Sequence, residues 1–123
     1  MVKPAEALEA LTLSPEEREA LRAFLDRVKR QEGNNLLEAV LFGSYARNEQ
    51  SPDSDIDVAI LLQKCGGLEH ESSIWRMAYD IHEASGFQII ISASVITDEQ
   101  LKGPIRPLFI SIAEEGISLY ERV

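Results

Sequence analysis

The chain has 123 residues, 45% of them hydrophobic and 27% charged, with a net charge of −9. That length suits one domain with a real core and leaves no room for a separate substrate domain. The acidic balance argues against a stand-alone nucleic-acid binder, which needs clustered Lys and Arg, and no apolar run approaches the ~20 residues of a membrane span.

Residues 1–12 are expected to form a short helix; Glu6 and Glu9 there do not fit a signal peptide. The next helix is well announced. Ser14-Pro15-Glu16-Glu17 supplies an N-cap, a proline for the first helical position and a capping-box glutamate. Leu21, Phe24, Leu25 and Val28 then recur at helical spacing, and Gly33-Asn34 closes the element. Glu6, Glu9, Glu16, Glu17 and Glu19 read as a solvated acidic face. The apolar run Leu36 to Phe42 reads as a strand, followed by a short helix starting near Ser44. After the turn Ser51-Pro52-Asp53-Ser54, a second strand runs from about Asp55 to Leu62 and ends at Cys65-Gly66-Gly67. Cys65 is the single cysteine, which excludes an internal disulfide and fits a reducing cytoplasm. Ile74, Met77, Ala78 and Ile81 mark a helix closed by Ser85-Gly86, and Phe87 to Val95 a third strand. Thr97-Asp98-Glu99-Gln100 has the capping-box form for a short helix, and Ile105, Leu108, Phe109 and Ile112 give a last amphipathic helix capped by Gly116. Strands alternating with helices imply a small α/β sheet backed by helices.

The chemistry concentrates between the first two strands, in Gly43-Ser44 and, ten residues on, Asp55-Ile56-Asp57. A small-residue turn offers backbone N–H groups to phosphate, and paired carboxylates hold Mg²⁺ against the same phosphates. Alternation along a strand puts Asp55 and Asp57 on one face, with Cα atoms about 6.6–6.8 Å apart, and Ala59 continues that face with a small side chain that leaves room above the sheet. Gly43 lets the backbone approach closely, and Ser44 adds a hydroxyl and an N–H. Arg47, one turn on, either reaches a phosphate or is a solvated, ion-paired arginine. His70 and His82 are too far apart for a metal pair and read as a surface and a helix-face histidine. Trp75, Tyr79 and His82 form a second stripe on their helix, read as core or contact surface.

Gly-Ser-x10-Asp-x-Asp resembles the signature of the polymerase-beta-like nucleotidyltransferase superfamily. The form Gly43-Ser44-Tyr45-Ala46-Arg47 in so short a chain is similar to the minimal nucleotidyltransferases, many of them antitoxins paired with HEPN-domain toxins. The ending Pro107-Leu108-Phe109-Ile110 … Glu115-Gly116-Ile117-Ser118-Leu119-Tyr120 is similar too, so roughly residues 36 to 120 are covered. The resemblance implies a mixed sheet, α/β (α+β in some schemes), and one domain over residues 1–123, with an N-terminal helical segment at 1–34 and a catalytic core at 35–120. It further implies a cytoplasmic, Mg²⁺-dependent enzyme moving AMP from ATP to an acceptor hydroxyl, the acceptor being a tyrosine of a partner HEPN toxin in a hetero-oligomer. Asp55 and Asp57 are then the catalytic, metal-holding residues, and Gly43, Ser44 and Arg47 bind nucleotide. Neither nucleic acid nor membrane is an expected partner.

Active superfamily members generally carry a third carboxylate on the following strand. Here that strand has no acid; its polar residues Gln88, Ser92 and Ser94 share one face by parity. Gln88 can lend a carbonyl oxygen to a metal but cannot act as a base. An alternative is therefore a nucleotide-binding antitoxin that neutralises its partner by masking it. A further alternative is a small-molecule nucleotidyltransferase resembling the aminoglycoside-modifying enzymes, which usually carry an extra helical domain.

Overall fold

The computed structural model describes residues 11–123, so the short helix expected over residues 1–12 lies almost wholly outside the described residues; Leu11 and Thr12 are not helical. Helix α1 spans Pro15–Glu32, and its start is as the sequence requires. Ser14 Oγ accepts the Glu17 N–H at 3.0 Å while Glu17 Oε1 accepts the Ser14 N–H at 2.8 Å. Such a cap stabilises a helix by about 1 kcal/mol. Gly33 ends it at φ +55°, donating its N–H to the Lys29 carbonyl, and a single 3₁₀ turn, Gly33–Asn35, leads into strand β1, Leu36–Phe42.

Strand β2 is Ile56–Leu62, helix α2 Leu68–Ala84 and strand β3 Ile91–Thr97. A short helix α3, Asp98–Lys102, precedes helix α4, Pro107–Glu115, and strand β4, Ile117–Glu121. The sheet order is β3-β2-β1-β4, with β1 antiparallel to both β2 and β4, and β2 parallel to β3. A parallel pair needs a long crossover, and α2 supplies it. The mixed sheet is the one the resemblance implied.

Packing follows the apolar pattern. β2 is central and buried on both faces from Val58 to Leu62, which is why its sequence reads as a continuous apolar run. One face (Leu36, Leu41, Ile56, Val58, Ile60) joins Leu21, Phe24, Leu25 and Val28 of α1 and Ile74, Met77 and Ala78 of α2 in the main core. Each large side chain there contributes about 1.5–3 kcal/mol. The other face (Val40, Phe42, Ala59, Leu61, Ile96) is covered by Leu108, Phe109 and Ile112 of α4. Ala59 therefore leaves no open room above the sheet; it is completely buried in this second cluster.

Four expectations need correcting. No helix follows Gly43: residues 44–48 form only turns, because Asn48 takes a left-handed φ of +57° and stops helical propagation after one turn. The third strand begins at Ile91 rather than Phe87. Phe87 has φ +64°, its N–H is bound to the His82 carbonyl, and Ile89 N–H is bound to Ser85 Oγ, so the end of α2 holds these residues out of the sheet. Gln88 thus falls outside β3, while Ser92 and Ser94 lie in it. The last helix starts at Pro107, leaving Ile105 exposed before it. Finally, Ile117–Glu121 is a strand, not merely an ending, and adds the fourth member of the sheet.

Candidate nucleotide site

The antiparallel register of β1 and β2 sets Phe42 opposite Asp57. The residue after Phe42 therefore turns back across the Asp57 side chain, and that residue is Gly43. Its φ is +76°, and a Cβ built there would lie 2.3 Å from Asp57 Oδ2. Only glycine permits both the left-handed turn and the carboxylate beside it. Asp55 stands one residue before β2, on the same side by alternation, exposed at the mouth of the site. Burial first, and then the charge of Asp55, push the Asp57 carboxyl above its ordinary range. A cation would relieve that repulsion. Among the described residues no group of three His, Cys, Asp or Glu is placed to hold a metal, so Mg²⁺ would draw its remaining ligands from substrate phosphates and water. The two carboxylates fit that ion's demand for hard oxygen donors.

The turn is fastened on both sides. Arg47 N–H donates to the Gly43 carbonyl at 3.1 Å and Glu49 N–H to the Ser44 carbonyl at 2.9 Å. Tyr45 is buried and its hydroxyl donates to Glu17 Oε2, so the glutamate that caps α1 also anchors the turn. Burial and the Glu17 carboxylate push the tyrosine hydroxyl's pKa up. Arg47 is not free: its guanidinium donates to Glu115 Oε2 at 3.0 Å and Glu49 Oε2 at 3.1 Å. Glu115 Oε1 also accepts the Gly43 N–H at 3.0 Å.

A family model for the nucleotidyltransferase domain matches residues 21–120, which contain Gly43, Ser44, Arg47, Asp55, Asp57 and Glu115. The chain belongs to that family. No curated protein sequence matches it. Among solved structures, a toxin–antitoxin complex with AMP-PNP aligns at TM-score 0.55 and 21% identity, covering 80% of this chain and 72% of that one. A mutant of the toxin–antitoxin pair MntA–HpeT, with two aspartates changed to glutamate, aligns at TM-score 0.54 and 19% identity over 80% of this chain and 71% of that one. A structure from Shewanella oneidensis aligns at TM-score 0.50 and 16% identity, covering 84% and 70%. These likenesses are of fold.

Within the nucleotidyltransferase domain, the structure brings Gly43, Ser44, Asp55 and Asp57 together, and it seats Arg47 beside them on an acid. The place beside Asp57 on the next strand is Ser92, its partner in the β2–β3 register. A serine therefore occupies the neighbouring position on the strand where active superfamily members carry an acid. Sequence reasoning missed Glu115, which lies 72 residues from Gly43, and missed the second role of Glu17 in holding Tyr45. It also missed His70, which is no isolated surface group. Its Nδ1 accepts the Gly66 N–H at 2.9 Å, leaving Nε2 to donate to Glu32 at 2.8 Å. Burial works against ionisation of Glu32, but hydrogen bonds from Gln31, Asn35 and His70 outweigh it and hold the carboxyl below its ordinary range. The stripe on α2 is not core: Trp75 and Tyr79 are exposed beside the sheet edge, and Trp75 Nε1 donates to the Ala93 carbonyl at 3.1 Å.

Proposed function

We propose that this nucleotidyltransferase-domain chain moves AMP from ATP to an acceptor hydroxyl, a tyrosine of a partner HEPN toxin, and acts as its antitoxin. The observation that carries this is the seating of Asp57 against Gly43, which joins a phosphate-binding turn to a carboxylate pair at one point. In this reading the Gly43 and Ser44 amides and the Ser44 hydroxyl hold phosphate oxygens, and Arg47 adds charge. Asp55 and Asp57 would hold Mg²⁺, which when bound neutralises triphosphate charge and orients the leaving pyrophosphate. The acceptor oxygen forms a bond to the α-phosphorus as the bond to pyrophosphate breaks, and pyrophosphate leaves with the electron pair. β3 offers no acid to take the acceptor proton, so the proton passes to solvent and transfer is slow. Two of the fold neighbours support the partner: they are toxin–antitoxin complexes, one with AMP-PNP and one altered at two aspartates spaced as Asp55 and Asp57 are. A chain of net charge −9 also suits a basic, RNA-handling partner through electrostatic steering.

Ser92 beside Asp57 favours a second reading, in which nucleotide is held without transfer and the partner is neutralised by masking. Incubating the chain and its partner with ATP and Mg²⁺, then weighing the partner by mass spectrometry, separates the two. An added AMP that is lost with Asp57→Asn supports transfer. Full neutralisation with no change in mass leaves masking.

A further inference from the structure

Glu115 is the last residue of α4, and the next residue fixes where that helix ends. A Cβ on Gly116 would lie 2.2 Å from the Ile112 carbonyl oxygen and 2.6 Å from Val40 Cγ1, so the helix end rests directly on β1. This seating carries the Glu115 carboxylate to the turn after β1. One of its oxygens accepts the Gly43 N–H and the other the Arg47 guanidinium, each at 3.0 Å. A backbone N–H of a left-handed glycine turn together with an arginine is a donor set for a phosphate, and here a carboxylate fills both donors. Arg47 favours the ionised Glu115, but Glu115 also adds a third negative charge near Asp57 and Asp55.

We infer that Glu115 is an internal anion that holds the phosphate-binding donors before nucleotide binds and must be displaced by nucleotide phosphate. The inference rests on the nucleotidyl-transfer reading of the site and assigns its control. Triphosphate and Glu115 cannot share the Gly43 N–H and Arg47, and their charges repel. The carboxylate keeps the donors aimed at the expense of affinity: apparent binding is scaled down to the fraction of molecules in which Glu115 has swung away. Glu115 is thus a positioning residue that sets nucleotide affinity.

The test compares the full chain with Glu115→Gln, Glu115→Ala and, as a control for bulk charge, Glu114→Gln, which removes an exposed acid one residue away. ATP and inorganic triphosphate, each with Mg²⁺, are titrated by calorimetry. Glu115→Gln should bind both about 3- to 10-fold more tightly, the worth of a half-exposed ion pair plus a charge-assisted hydrogen bond, and Glu114→Gln should bind like the wild type. ATP binding to the wild type with equal or weaker binding to Glu115→Gln overturns the inference and leaves the nucleotide site standing. Absence of binding to every variant overturns both. Independently of any ligand, the Gly43 amide resonance should move and its hydrogen exchange accelerate in Glu115→Ala; an unchanged Gly43 amide shows that the contact does not exist and overturns the inference by itself.

Discussion

Replacing Gly43 with alanine probes the join between turn and carboxylate directly. Two penalties are readable from the structure. The left-handed φ of +76° costs a non-glycine residue about 1–2 kcal/mol. The new methyl would also lie 2.3 Å from Asp57 Oδ2 and 3.2 Å from its Cγ. Restoring ordinary contact requires the carboxylate to move by about 1 Å. Asp57 is a short side chain on a central strand, so it cannot swing clear without leaving its place. A displacement of that size costs about 100-fold in activity when it misplaces a reacting group. Gly43→Ala should therefore melt roughly 4–10 °C below the wild type by circular dichroism. Mg²⁺-dependent ATP binding should weaken at least about 10-fold, and AMP transfer should fall by about 100-fold. If Gly43→Ala keeps ATP affinity and transfer within about threefold of the wild type, the Asp57 carboxylate is not acting at this turn and the reasoning is refuted.

Asp57→Asn should not destabilise the apo protein and is expected to raise its melting temperature, since burial and Asp55 make the ionised Asp57 unfavourable. The sign follows: an acid whose folded pKa is raised loses stability as pH rises through that pKa, so the advantage of Asp57→Asn is largest at neutral pH and vanishes below the ordinary aspartate range. Paired thermal melts at pH 7 and pH 3 check it. Glu32 behaves oppositely. Its folded pKa is depressed, so its stabilisation is present above the ordinary glutamate pKa and lost as pH falls through the folded value. Glu32→Gln should cost about 1–3 kcal/mol at neutral pH, measured by denaturant unfolding, with the difference closing in acid. Tyr45→Phe removes the hydroxyl that ties the turn to Glu17 and should cost about 1–2 kcal/mol, visible in the same unfolding curves, with faster amide exchange across residues 44–48.

Local signals carried the elements whose chemistry lies within a few residues. Ser14-Pro15-x-Glu17 and Thr97-x-x-Gln100 announced two capping boxes that the structure realises in full. The continuous apolar run from Val58 to Leu62 announced the central strand. Spacing and strand alternation put Asp55 and Asp57 on one face, and the antiparallel register of β1 and β2 then sets Gly43 against Asp57. The third strand was misplaced because Phe87 to Ile90 has strand composition, but the His82 carbonyl and Ser85 Oγ at the end of α2 take the Phe87 and Ile89 N–H groups. Ile117–Glu121 went unread as a strand because five residues after a helix carry little periodic signal, and pairing with β1 rather than propensity makes it one. Arg47 was left open between phosphate and acid because its partner, Glu115, is brought near only by the packing of α4 against β1. His70 and Glu32 are 38 residues apart and meet only when α2 packs beside α1.

Titrating ATP into the purified chain by calorimetry, first with Mg²⁺ and then with EDTA, tests the Mg²⁺–nucleotide site most directly. Binding should be measurable with Mg²⁺, weak because β3 supplies no third carboxylate, and lost both in EDTA and in Asp57→Asn. Equal affinity with and without the metal, or an undiminished affinity in Asp57→Asn, would contradict the placement of nucleotide phosphates between Gly43-Ser44 and the Asp55–Asp57 pair.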